Sequence, residues 1–446
     1  MKYLSFIFIL LFPLLIFGQY LETVIPVGSY PNAFGYNSSN NKVYCANMGD
    51  NTVTVINALS NLVIATIRVG AEPCALIYNS TNNKIYCANQ KSNDVSIIDG
   101  ANNEVINTIT VGARPSALVY NSVNNKIYCA NANSNNVSVI DGVSNNVIAT
   151  VNVGLYPKTL LYNPTNNKIY CANMDGENIS VIDGLTNSVI TTIPVGRTPV
   201  SMCYNSTNNK IYCASWSNGR IHIINGATDQ LIDSIIYGNS GPQSLIYHNY
   251  YNRIYYTNFT GDNIKVIDGN SDTIIGTLQF PVGTRPYAIA SPYYYIYCAN
   301  IGNNTVTIIL PPGYILATIN MIYPITFIGG PYSYRWVYVA NLWSSTVSVI
   351  KEIYPSIEDD SFIPLLQKEK LLIFPNPAKE YFTIRFPQAT DRSILRMYDI
   401  TGKLIKVQKF KGAKVQEQRV MLKGISPGIY FLSYGSIYKK IIIVDK

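Results

Sequence analysis

The sequence predicts an all-β protein, a closed ring of short-stranded repeats followed by a second, smaller β unit, and three observations carry that prediction. A string that reads NNKVYCAN at 41–48 and NNKIYCAN at 82–89 returns along the chain with small edits. Its tyrosines, Tyr44, Tyr86, Tyr128, Tyr170, Tyr212, Tyr255, Tyr297 and Tyr338, follow one another at 42, 42, 42, 42, 43, 42 and 41 residues. The composition agrees, because 36 tyrosines stand among many Asn, Val, Ile and Thr. β-Branched and aromatic side chains fit a pleated surface, and Asn tolerates the positive φ of tight turns. A period of roughly 40 to 45 residues holding only short strands marks a β-propeller, one blade per repeat.

Taken in order, the chain opens with MKYLSFIFILLFPLLIFGQY, one Lys followed by an apolar run that Pro13 interrupts. The run is shorter than the roughly 20 residues a spanning helix needs, so residues 1–19 read as a secretory signal peptide. No other segment is apolar enough to span a bilayer, and the mature protein is expected to have no transmembrane segment. Residues 20–350 form the propeller. In the unit at 114–153, strand a is PSALVY, b is KIYCAN, c is NVSVIDG and d is VIATVNV, separated by Asn, Ser and Gly clusters. Asp-Gly opens several c–d turns, as at Asp99-Gly100 and Asp141-Gly142. Each d strand ends in Val-Gly and leads within a residue or two to Pro, which starts the next inner strand where a missing donor is tolerable.

The last unit supplies strands a, b and c and stops, whereas ETVIPVG at 22–28 matches the d strand ITTIPVG at 190–196. The N-terminal strand is therefore expected to complete the final blade and remove an exposed edge. The count is eight blades, with seven as the alternative if the degenerate stretch around 310–335 is not a unit.

The strings YCAN at 128–131, VSVID at 137–141 and VIATVNVGLYP at 147–157 resemble the YVTN family of β-propeller repeats over roughly residues 20–350. That resemblance implies the fold and not an activity. The chain departs from the family string by placing Cys where Val or another small apolar residue stands. Six of the eight cysteines, Cys45, Cys87, Cys129, Cys171, Cys213 and Cys298, occupy that b-strand position. Equivalent positions in neighbouring blades are too far apart for the roughly 4.4–6.8 Å Cα separation of a disulfide, so free, buried thiols between blades are expected. With no C-x-x-C and only two histidines, His222 and His248, no metal and no cofactor is expected.

Residues 351–370 read as a linker, and 371–446 as seven or so strand-length runs of a small Ig-like β-sandwich. FPNPA at 374–378, MYDITGK at 397–403, GIYFLSY at 428–434 and the terminal KKIIIVDK resemble the type A C-terminal sorting domain of the type IX secretion system of the Bacteroidota. The residues that carry this are Pro375, Asn376, Pro377, Tyr398, Asp399, Gly402, Lys403, Gly428 and Tyr430. The resemblance implies recognition by the secretion machinery through 371–446, and then removal of the tail with surface attachment or release.

The formal net charge of +8 divides unevenly. Residues 20–350 hold 15 Lys plus Arg against 15 Asp plus Glu, and residues 371–446 hold 14 against 5. A propeller without surplus charge lacks the footprint of a nucleic-acid binder, and no nucleic acid is expected. Lone histidines without a carboxylate or second ligand do not make an acid–base centre. The ligand candidates come from topology: the d–a loops beside each Pro face one mouth of the central channel and carry Tyr30, Glu72, Arg114, Tyr156, Lys158, Arg197, Arg285 and Tyr287. Arg and Tyr together suit an anionic or glycan-like ligand. The expected function is a secreted, surface-displayed, non-enzymatic binding or scaffold module for a glycan, polymer or protein; the alternative is a propeller hydrolase or lyase working at the channel mouth.

Overall fold

The computed structural model describes residues 20–236, 241–311, 313–330 and 333–352, and in the C-terminal part 372–374, 380–385, 392–399, 403–411, 417–434 and 437–443. The signal-peptide and linker readings fall outside these residues. The chain divides into two compact units, Met1–Ile353 and Tyr354–Lys446.

The first unit is a propeller of eight antiparallel four-stranded blades, which settles the count against seven. Blade 1 is built from Pro31–Asn37, Lys42–Asn47, Thr52–Asn57 and Leu62–Arg68, here strands a to d. Blades 2 to 7 repeat that order from Pro73, Pro115, Pro157, Pro199, Pro242 and Pro286. The degenerate stretch forms a true strand d in blade 7, Tyr314–Asn320, and a true strand a in blade 8, Pro324–Gly329. Blade 8 takes its outer strand from the other end of the chain. Tyr20–Pro26 pairs antiparallel with Thr346–Lys351, Ile25 lying opposite Val347. The a strands contact one another round the ring and so line the channel.

The core lies between blades. On strand b the two-residue period sends Tyr to one neighbour and Cys to the other. Tyr44, Val53 and Val55 of blade 1 pack with Leu76, Ile85 and Cys87 of blade 2. Cys45 packs backwards, with Tyr338, Val347 and Val349 of blade 8 and Ile25 of the closing strand. All eight marker tyrosines and all six strand-b cysteines are fully buried. Every cysteine is free, as expected, and burial pushes the Cys213 thiol up to about 12. In the a–b hairpins Tyr78 lies opposite Ile85 and Cys203 opposite Tyr212.

Polar side chains then tie each blade to the next. The Tyr44 hydroxyl donates to Asn103 Oδ1 in the c–d turn of blade 2 at 2.9 Å, and Lys42 Nζ reaches the same oxygen at 2.9 Å. Tyr86–Asn145 and Tyr128–Asn187 repeat the bond, and Tyr338–Asn61 makes it across the closure. At two seams the acceptor is a carboxylate. Asp229 takes Tyr170 at 2.6 Å and Lys168 at 2.5 Å, and Asp272 takes Tyr212 and Lys210. A hydrogen bond to a charged group is worth about 1.5–3 kcal/mol, so these seams are stapled at their outer end as well as packed.

The second unit has a three-stranded sheet, in the order Leu372–Phe374, Tyr381–Arg385, Glu417–Met421, and a four-stranded sheet centred on Arg392–Tyr398 and Gly428–Tyr434. Phe382 and Val420 from the first share one core with Leu395, Met397, Leu432 and Ile443 from the second, the arrangement of a small sandwich.

Candidate ligand-binding mouth

Both d–a corners and b–c turns lie at the same end of the channel, because they hydrogen-bond to each other. Met48 N donates to Tyr30 O at 3.0 Å, Ala132 N to Arg114 O at 2.8 Å, and Met174 N to Tyr156 O at 2.8 Å. The corner amide is held from the other side by the preceding b–c turn. Asn51 Oδ1 accepts from Glu72 N at 2.9 Å, Asn93 from Arg114 N at 2.8 Å, and Asp262 from Arg285 N at 2.7 Å. With N–H and C=O both bonded to protein, the corner residue is fixed in the left-handed region with its side chain left for other work. The φ values are 53° at Tyr30, 55° at Glu72, 57° at Arg114, 54° at Tyr156 and 50° at Arg285.

The choice of residue here is unusual by this chain's own standard. Non-glycine residues with positive φ number 20 at the other three corners, and 17 of those are Asn or Asp. The d–a corner has seven, Tyr30, Glu72, Arg114, Tyr156, Thr198, Arg285 and Tyr323, and none is Asn or Asp. Side chains that hydrogen-bond locally are the cheap occupants of this conformation, while large ones cost more and recur where the position has a further role. Turn geometry explains three corners; it does not explain the fourth.

The eight candidates from the sequence all reach this end. Tyr30, Glu72, Arg114, Tyr156 and Arg285 are corner residues. Arg197 is not, since Thr198 takes that place; Arg197 instead pairs with Glu177 at 3.5 Å, and Glu72 pairs with Lys91 at 3.4 Å. Lys158 and Tyr287 follow the proline, where the register of strand a slips in the blades of Lys158 and Tyr287. In those blades the slipped residue escapes the ladder. Arg114 stacks over the Tyr156 ring at 5.7 Å. Burial pushes the Tyr287 phenol up, with Tyr323 adding to it. Cys74 stands at the same slipped position in blade 2, donates to Pro115 O at 3.2 Å, and is pushed up to about 12 by burial although Lys158 and Arg114 draw it down.

Sequence reasoning missed the b–c contribution. Trp343, 60% exposed, is flanked at near right angles by Tyr30 at 5.5 Å and Tyr323 at 5.7 Å between centroids. Gly49 allows Tyr30 to lie flat on its turn, since a Cβ there would meet the ring at 2.6 Å. At the sixth corner the roles reverse: Gly241 leaves the space that the Trp216 indole covers.

The histidines are structural. His248 ends strand a of blade 6 at a position where blades 1 to 5 carry a buried Asn, and bonds Tyr294 O at 3.1 Å. His222 faces Ser234 at 2.8 Å, and burial, aided by Arg220, lowers it to about 4, so it is neutral. Among the described residues no group of three or more His, Cys, Asp or Glu could hold a metal ion, and no helix is long and apolar enough to cross a membrane.

Residues 372–444 match the secretion system C-terminal sorting domain family. The tail marks the chain for export through the type IX secretion system, to the medium or the outer cell surface, and makes that machinery its partner. Of its motif residues, Tyr398 and Asp399 close strand Arg392–Tyr398, Asp399 Oδ1 accepts from Lys403 N at 3.0 Å, and Tyr430 donates to Ser426 O at 2.9 Å. Gly428 opens the strand Gly428–Tyr434, while Pro375, Asn376, Pro377 and Gly402 lie outside the described residues. No curated protein matches the chain. Among solved structures, Saccharomyces cerevisiae Sqt1 is similar at TM-score 0.66 and 12% identity, over 75% of this chain and 99% of its own. The computationally designed Ika8 protein is similar at 0.63 and 15%, over 75% and 100%. Kuenenia stuttgartiensis hydrazine synthase is similar at 0.51 and 18%, over 63% and 95%. At such identities the likeness concerns the fold alone.

Proposed function

We propose that this chain is a YVTN-type β-propeller that works outside the cell as a non-enzymatic binding module, taking its ligand at the channel mouth formed by the d–a corners. In this reading residues 1–19 are removed on export, 20–350 bind, 351–370 link, and 371–446 direct sorting. The observation that carries it is the use of Tyr, Arg, Glu and Thr at the one left-handed corner where Asn and Asp are never found. Such side chains add nothing to the turn, and their natural use is recognition by stacking and charge-assisted hydrogen bonds.

The same observation supplies the test. Tyr30→Asn, Arg114→Asn and Arg285→Asn place at each corner the residue the chain prefers elsewhere, so the melting temperature should hold or rise. The triple variant should lose adhesion of the purified protein to whole cells of its host by tenfold or more. Undiminished adhesion would leave the mouth as a solvated rim and the propeller as a scaffold.

A further inference from the structure

The mouth is chemically divided, and the division specifies a ligand. Trp343, Tyr30 and Tyr323 form an aromatic arc over blades 8 and 1. Cations stand elsewhere on the ring: Arg114 in blade 3, Lys158 in blade 4 and Arg285 in blade 7. Among the described residues none of these three is in an ion pair. The acidic groups at this end are nearly all engaged. Glu72 faces Lys91, Glu177 faces Arg197, Asp50 accepts from Ser29 N, Asp94 from Asn89 and Asp262 from the amides of Gly283 and Arg285. Exposed Asp175 is the exception. Arg114, Lys158 and Arg285 are therefore, among the described residues, cations with no carboxylate paired to them, at a mouth whose carboxylates are mostly turned to lysine, arginine or backbone and side-chain amides of the turns.

Resting on the reading above, we infer that the ligand is an acidic polysaccharide, its pyranose faces stacking on the aromatic arc and its carboxylates or sulfates meeting Arg114, Lys158 and Arg285. An exposed indole braced by two tyrosines offers an apolar plate without bonding directionality, suited to the C–H face of a sugar. Widely spaced cations suit a polymer whose charges recur at intervals. A single-stranded nucleic acid would also stack and carry charge, but it presents one phosphate per nucleotide and calls for a continuous basic track. The balance of 15 basic and 15 acidic residues over 20–350 does not supply one.

The full chain from residue 20 is run by affinity electrophoresis through gels containing polygalacturonate, dextran sulfate or neutral dextran, and a fluorescent oligothymidylate is titrated in parallel. The tail is itself basic, so the readout is the difference between the native chain and its variants. Retardation by at least one acidic polymer should weaken about tenfold in Trp343→Ala and in Arg114→Asn/Lys158→Ser, with melting temperatures unchanged, and neutral dextran should not retard. The double variant should also flatten the salt dependence. Which acidic gel retards separates carboxylate from sulfate recognition. Equal retardation of native chain and variants, equal retardation by dextran, or tighter binding of the oligonucleotide overturns the inference. If cell adhesion is lost in the corner variants while the gels show no difference, the polysaccharide falls and the mouth stands; if adhesion is unaffected, the mouth itself falls.

Discussion

Glu352 shows how a single residue adapts the repeat where the repeat runs out. At six seams a buried tyrosine hydroxyl meets an Asn or Asp in the next blade's c–d turn. Blade 8 has no such turn, because its c and d strands come from opposite chain ends, and Glu352 lies beside Tyr297 in its stead. It is 4% exposed, accepts from Tyr295 N at 3.1 Å, and has Tyr293, Tyr297 and Arg335 around it. Burial raises its carboxyl to about 7, against the small opposing effects of the Tyr295 amide and Arg335. A folded value above the ordinary one favours the protonated fold. The stabilisation is present in full below about 4.5 and is lost as pH rises through about 7. The melting temperature should therefore fall between pH 5 and 8, and Glu352→Gln should remove most of that slope. A slope as steep in the variant would show that another group titrates. The repeat period located the blade that lacks its turn, yet the sequence did not reveal that this carboxyl is buried, since its cover comes from Tyr293, Tyr295 and Tyr297 of the preceding blade.

Elements are the scale at which the sequence was most legible. Strands a to d of every intact repeat fall where the alternating pattern and the Asp-Gly and Asn-rich punctuation set them, because a one-residue slip would exchange the Tyr and Cys faces. What stayed hidden is whatever joins positions on different strands. The Pro of each corner was visible, but the left-handed residue before it was not, and Trp343 escaped notice because it sits in a b–c turn. The bonds from Leu342 N to Tyr323 O and from Val27 N to Ser345 O fold that turn onto the mouth. The closing strand was legible through its likeness to other d strands, and its energetic role can be measured. Tyr20–Pro26 provides the ladder on Thr346–Lys351 and buries Ile25 against Val43 and Ile56 of blade 1. Deleting residues 20–26 removes that ladder and opens an edge, which should lower the melting temperature on the order of 10 °C and promote aggregation. An unchanged melt would mean that the ring holds without its clasp.

For the whole molecule, charge is distributed by fate. The chain's +8 is the sum of +1 from residues 1–19, 0 from 20–350, −2 from 351–370 and +9 from 371–446. Sorting signals must be read while the folded cargo is still attached, and a strongly basic, separately cored tail can be recognised without any contribution from an electrically neutral propeller. If the tail is cut off at the surface, the formal charge swings from +7 for the chain lacking 1–19 to between +1 and −3 for the released propeller, depending on how much of 351–370 remains. Isoelectric focusing reads this directly. The precursor trapped in the periplasm of a secretion-defective host should focus well on the basic side, and the form collected outside should focus near or below neutrality. An extracellular form as basic as the precursor would mean that the tail stays on. It would then add its own positive surface to any acidic polymer at the cell exterior, and the variant differences at Trp343 and Arg114 would be the only measure of what the mouth itself recognises.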